Sequence, residues 1–280
     1  MNELDNVVTI TDPLDDPERD AIMQERRPDP DSWMKCGPTF LSSIDPPIDY
    51  LISELLPAGV IALIHGEPRT LKTWGALDIA LAAATGTPAF GLDRFSVLQS
   101  IRVLYSSQED SAHLVRQRAN ALLRGRGIVC PEGLMFAVHA GINLESAQWQ
   151  ETLITDVQRH GVRLVILDPI RRYSINVDKG PAEVRALTAY LRRLCVETGA
   201  TVLLVHHDVK PPATSTDNRR RGHRASGGDW FAAAECPISF EIAGESQTVA
   251  YPESYKLSSD PDPFTFQLRP MIREIRPPRD

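Results

Sequence analysis

The stretch 59–75 limits what this chain can fold into more than any other part of it. Val60 to Ile64 is a short, nearly unbroken apolar run, the pattern of a strand buried on both faces. Gly66 to Thr73 then reads G-x-x-x-x-x-K-T, and from Thr73 onward Ala76, Leu77, Ile79, Ala80 and Leu81 recur at helical spacing. Strand, glycine-led loop, Lys-Thr and helix is the order that a phosphate-binding P-loop requires. In that order the loop N–H groups and the helix N-terminus face the phosphates. Lys72 is expected to reach the β/γ-phosphates, and the Thr73 hydroxyl to hold Mg²⁺. Gly66, Glu67, Pro68, Arg69, Thr70, Leu71, Lys72, Thr73 and Trp74 are together the candidate ATP cradle. Two letters depart from the pattern. Leu71 stands where such loops carry a second glycine, and a leucine is strained there if the position needs positive φ. Pro68 has no N–H to offer. The loop by itself also fits an ordinary strand-to-helix turn with an accidental Lys-Thr.

The rest of the chain supplies the context. Ile101 to Ser107 reads as a second strand, ending in Gln108, Glu109 and Asp110, and Ser111 to Leu123 as a helix. Leu134 to Val138 is a third strand, and Ala147 to His160 an amphipathic helix. Val162 to Asp168 is a fourth strand of buried type, closing on a carboxylate. Pro181 opens a helix that runs through Glu197, with Gly199 as its stop. Thr201 to His207 is a fifth strand, closing on two histidines. Ala225 to Ala234 reads as a short helix, and alternating segments near 236–243, 247–255 and 263–269 suggest a C-terminal antiparallel extension. Strands alternating with helices predict an α/β fold with a mostly parallel central sheet covered on both faces. Right-handed crossovers place the strand C-terminal ends on one edge, where such sheets bind ligands.

That edge would collect the P-loop, Glu109, Asp168 and His207. Asp168 suits Mg²⁺, directly or through water, although an aspartate before Pro169 can also simply end a strand. Glu109 suits a general base that polarises water, or a solvated acid at a helix N-terminus. His207 suits a γ-phosphate sensor, or a structural histidine. The polar loop 208–224 carries Lys210, Arg219, Arg220, Arg221, His223 and Arg224. It fits a mobile arm on the backbone of single-stranded DNA and a solvated basic loop equally well, since no aromatic residue interleaves before Trp230.

Composition sets outer bounds. No apolar run approaches the roughly 20 residues of a membrane span, so no membrane partner is expected. The four cysteines, Cys36, Cys130, Cys195 and Cys236, form no C-x-x-C pair, which favours free thiols in a reducing cytoplasm. The net charge of −7 is concentrated in residues 1–34, which hold ten acidic and three basic residues. The remainder is near neutral, so acidity does not argue against nucleic-acid binding by the folded part. Residues 1–36 read as an acidic, Pro-rich flexible arm, a solubilising leader or a site for a protein partner, and 37–280 as the folded domain. Residues 37–58 lead in, with Ile48, Tyr50, Leu51, Ile52, Leu55 and Leu56 packing beside the first strand.

Taken together, the segments Gly66–Thr73, Leu104–Asp110, Val165–Tyr173 and Leu203–Lys210 resemble the RecA-like ATPases of the hexameric RepA-type plasmid replicative helicases, with DnaB, RadA and KaiC as more distant relatives. Arg224-Ala-Ser-Gly-Gly resembles the segment that follows the mobile loop in that family. The resemblance spans roughly residues 45–270. It implies a RecA-like fold, Mg-ATP as cofactor, and Glu109 as catalytic base. It also implies a homo-oligomeric ring, often a hexamer, in which a cation from a neighbour completes each site. Lys256, in Ser254-Tyr-Lys-Leu-Ser, fits the position of that cation, and Arg224 is a second candidate. Relatives often carry a second basic residue two positions on, where this chain has Ser258. The expected function is a DNA helicase or replication ATPase acting on single-stranded DNA. Leu71 and Ser258 keep a second expectation open, an ATP-gated switch of slow turnover that recruits a partner.

Overall fold

The computed structural model describes residues 36–44, 47–208, 229–244 and 247–269. The chain divides into two units, Met1–Pro47 and Ile48–Asp280. Within the described part of the first lies one short helix, α1 (Gly37–Leu41), with Phe40, Leu41 and Ile44 exposed. The remainder of the expected acidic arm lies outside the described residues.

The second unit is built on an eight-stranded sheet. Its strands are β3 (Ile61–Gly66), β4 (Arg102–Ser107), β5 (Leu134–Val138), β6 (Val162–Asp168), β7 (Thr201–His207), β8 (Cys236–Ile242), β9 (Gln247–Pro252) and β10 (Phe264–Gln267). They lie in the order β10-β9-β8-β3-β7-β6-β4-β5. The pairings from β5 to β8 are parallel, and β9 and β10 are antiparallel. The C-terminal extension therefore begins with a strand that joins the parallel set beside β3. Two short strands, β1 (Tyr50–Ile52) and β2 (Leu56–Pro57), form a separate pair from the lead-in.

The apolar runs follow from burial on both faces. On β3, Ala62 and Ile64 point into one core, while Ile61 and Leu63 point into the other. β6 divides Leu164 and Ile166 from Val165 and Leu167 in the same way, and β7 divides Leu203 and Val205 from Val202 and Leu204. A strand with no solvent face has no reason to alternate in polarity. The first core is capped by α2 (Lys72–Thr85) and α3 (Ala112–Arg126), with the β1–β2 pair. The second is capped by α4 (Ala147–His160), α5 (Pro181–Thr198) and α6 (Asp229–Ala233). α2 is buried almost all round, because the sheet, α3 and the turn at 89–91 enclose it. Its stop is Gly86 at φ 73°, whose N–H closes on the Ala82 carbonyl. The helix-start signals hold as well. Ser111 caps α3 by accepting the Leu114 N–H at 3.3 Å, and Pro181 opens α5.

This winding gathers the site. From β3 the chain passes over two strand positions to β4, runs out to β5, returns to β6 and finishes at β7 beside β3. Because these strands are parallel, the loops after β3, β4, β6 and β7 all leave from one edge. Register fixes their level, with Gly66 opposite His207 and Ser107 opposite Asp168.

Candidate functional site

The loop after β3 wraps around the Lys72 ammonium. Nζ donates to the carbonyl of Gly66 at 2.8 Å, to that of Glu67 at 2.6 Å and to Thr70 Oγ1 at 3.3 Å. Lys72 is only 4% exposed, and burial pushes its pKa down to about 8, against the pull of Asp208, Asp168 and Glu67. The geometry demands glycine at position 66. A Cβ there would stand 2.3 Å from the Phe240 carbonyl oxygen and 3.0 Å from Thr70 Oγ1. The loop also needs left-handed backbone where the sequence has none of the usual residues. Arg69 sits at φ 72° and Leu71 at φ 64°, ψ 22°. The missing second glycine is thus a real departure, costing a leucine about 1–2 kcal/mol of backbone strain. From the far side β9 braces the loop, Thr248 Oγ1 donating to the Thr70 carbonyl at 3.3 Å.

Asp168 ends β6 at 4% exposure. Burial raises its carboxyl to about pKa 6, opposed by hydrogen bonds from Tyr105 and Thr73. Tyr105 Oη donates to Oδ2 at 2.6 Å. Thr73, the residue after the P-loop lysine, therefore sets its hydroxyl close to the carboxylate that closes β6 and helps hold its pKa down. A hydroxyl and a buried carboxylate side by side are hard oxygen donors of the kind Mg²⁺ takes. Together with the cradle at Gly66, which a Cβ would fill, these residues fit a magnesium-bound triphosphate.

Glu109 lies exposed past the end of β4, and its carboxylate faces Arg172 Nε at 3.7 Å. Asp110 is turned away into an ion pair with Arg118, whose guanidinium lies 5.8 Å from the Trp74 ring centre. That leaves Glu109 as the more exposed carboxylate of the two, held only by its long pair with Arg172. His207 is half-buried, and its buried Nδ1 has no hydrogen-bond partner among the described residues. Its pKa is lowered first by burial and then by Lys72, with Glu109 pulling the other way, so it senses both neighbours. His206 points into the second core, 6.0 Å ring to ring from Trp230, and burial pushes its pKa down to about 4.

The structure brings Gly66–Trp74, Glu109, Asp168 and His207 to one edge. It does not bring Lys256 there. The Lys256 N–H donates to the Glu235 carbonyl, and the Glu235 N–H to Ile61 at the opposite end of β3. Five residue steps separate Ile61 from Gly66, about 17 Å at about 3.3 Å per step. Its ammonium is exposed and rests on the Ala232 carbonyl at 2.6 Å. Lys210, Arg219, Arg220, Arg221 and Arg224 lie outside the described residues. Sequence reasoning passed over Tyr105, Thr248, His65 and Asp208. His65 Nδ1 pairs with Asp208 Oδ1 at 2.9 Å beneath the loop, and the Asp208 N–H donates to the Gly66 carbonyl at 3.0 Å. Asp208 follows the histidine pair directly, which was the one available signal. A cleft of about 1110 Å³ opens on the other side of the P-loop helix, walled by Trp74, Asp78, Phe90, Leu122, Arg126 and Phe266.

A family model described as AAA domain matches residues 33–213. Among solved structures, a KaiC-like protein from the hyperthermophilic archaeon Pyrococcus horikoshii superposes with a TM-score of 0.53 at 14% identity, covering 79% of this chain and 95% of that one. At that identity the likeness establishes the fold alone.

Proposed function

The chain belongs to the AAA domain family and is a P-loop ATPase of RecA-like fold, and we propose that it hydrolyses Mg-ATP as a ring-forming motor on single-stranded DNA. The observation that carries the ATPase reading is the loop wrapped around the Lys72 ammonium, with the carbonyls of Gly66 and Glu67 at 2.8 and 2.6 Å and the buried Asp168 carboxylate among the charges that act on it. Magnesium supplies charge neutralisation of the phosphates when bound. The chain's own residues do the rest. Lys72 exchanges loop carbonyls for phosphate oxygens, Thr73 and Asp168 hold the cation, and Glu109 takes a proton from the attacking water as general base. In this reading the half-buried His207, which stands opposite Gly66, registers the γ-phosphate. The apolar cleft beside Trp74 is the natural seat for the base.

Two features support the ring. The resemblance to RepA-type helicases implies it, and Lys256 is an exposed cation too far from its own P-loop to serve it. In a neighbour's site it would supply the transition-state charge of an arginine finger. The DNA reading rests on the basic residues Lys210 and Arg219–Arg221 together with that resemblance. Steady-state hydrolysis, measured with and without single-stranded DNA at several protein concentrations, tests it. Stimulation by DNA, with activity rising more than linearly with protein, is expected. Turnover indifferent to both would overturn the motor.

Leu71 favours a second reading. Its strained backbone and the 3.7 Å Arg172–Glu109 pair suit a site that binds ATP and turns it over slowly, recruiting a partner while loaded. Tight binding with negligible turnover in every condition would select that reading.

A further inference from the structure

Tyr105 lies in the middle of β4 and is fully buried, its ring 5.9 Å from that of Phe136. A phenylalanine would fill that space equally well. A buried hydroxyl is unfavourable unless it is bonded, so the oxygen needs a reason. Its partner is Asp168 Oδ2 at 2.6 Å, across the pair of strands whose ends bring Ser107 level with Asp168. The Thr73 hydroxyl stands near the same carboxylate. Thr73 would itself serve as a ligand to a bound cation, so it could not also hold Asp168 in place. The fully buried Tyr105 hydroxyl has no such duty.

We infer that Tyr105 is a positioning residue for the cation site, its hydroxyl fixing the Asp168 carboxylate so that magnesium meets a preorganised ligand. This deepens the ATPase reading and rests on it. Partners of this kind behind metal ligands typically change metal affinity by about 10–100-fold when removed. Tyr173 provides the comparison. It is equally buried, and its hydroxyl donates to Ser106 Oγ at 2.8 Å and lies by the Asp168 backbone, but it makes no hydrogen bond to the Asp168 carboxylate.

The experiment titrates the full chain with a fluorescent ATP analogue in EDTA, and then with Mg²⁺ at fixed nucleotide. Tyr105→Phe is expected to keep the wild-type affinity in EDTA and to need about 10-fold more Mg²⁺ or beyond for the half-maximal metal-dependent rise. Tyr173→Phe is expected to match wild type in both. A Tyr105→Phe titration that overlays wild type would overturn the assignment, as would an equal shift in Tyr173→Phe. A Tyr105→Phe chain that loses its fold along with nucleotide binding in EDTA would make Tyr105 a core residue and nothing more. Wild-type protein that binds no nucleotide at all defeats the ATPase reading itself, so the two failures are told apart.

Discussion

Replacing Lys72 by methionine should abolish nucleotide binding and at the same time make the nucleotide-free protein more stable. The ammonium is 4% exposed, and burial depresses its pKa from 10.5 to about 8. At about 1.4 kcal/mol per pH unit, that depression is worth about 3 kcal/mol of unfavourable charge burial at neutral pH. Removing the ammonium takes three hydrogen bonds with it, but the carbonyls it leaves are not orphaned. Gly66 O still accepts the Asp208 N–H at 3.0 Å, and Glu67 O accepts Thr70 Oγ1 at 2.9 Å. With about 0.5 kcal/mol set against each of the three lost bonds, Lys72→Met should gain about 1–2 kcal/mol at pH 7. The pH dependence has a definite sign. Below about pH 8 both folded and unfolded wild type carry the proton, so the penalty is present in full. Between about 8 and 10.5 the unfolded chain holds more protons, so wild-type stability rises with pH and the gap to Lys72→Met closes. Buried Cys195 and Cys236, pushed up to about 12, and the buried tyrosines pull stability down in the same alkaline range. They do so equally in both proteins and cancel in the difference. Urea denaturation of the two proteins from pH 7 to 10 reads this directly. A Lys72→Met protein less stable than wild type at pH 7, or a gap unchanged across that range, would refute a buried charged lysine in the loop.

Gly66→Ala should cost about 2 kcal/mol or more, because its Cβ meets the backbone carbonyl of Phe240 rather than a movable side chain, and an unchanged denaturation midpoint would contradict the close approach. Glu109→Gln should keep ATP affinity and slow turnover by roughly 10²–10⁴-fold; equal rates in mutant and wild type would remove Glu109 from the chemistry. With an aromatic disulfide reagent, exposed Cys36 and Cys130 should react at once, while buried Cys195 and Cys236 wait for denaturation. Four fast thiols would mean that the core around β8 and α5 is not closed.

Much of this site is legible in the letters because its parts are local. The P-loop is one contiguous stretch, and Asp168 and His207 close apolar runs whose length marks them as doubly buried strands. The concern raised by Leu71 was also local, and the φ of 64° answers it. What the letters hide is long-range. Thr248 touches Thr70 across 178 residues, and nothing in Gln-Thr-Val-Ala-Tyr announces it. Tyr105 reads as one more strand aromatic until β4 is laid against β6. β8 alternates like an antiparallel strand, yet it lies parallel to β3, because the chain returns to the start of the sheet through α6. Lys256 was assigned by resemblance, and its distance from the chain's own P-loop follows only from the turn after β9.

Equilibrium binding of Mg-ATP to wild type and to Lys72→Ala is the most direct test of the loop 66–73 as a nucleotide cradle. Wild type is expected to bind one nucleotide per chain saturably, and Lys72→Ala to lose that binding. Wild-type protein that binds no ATP, or a Lys72→Ala protein that binds it as well as wild type does, would contradict the cradle.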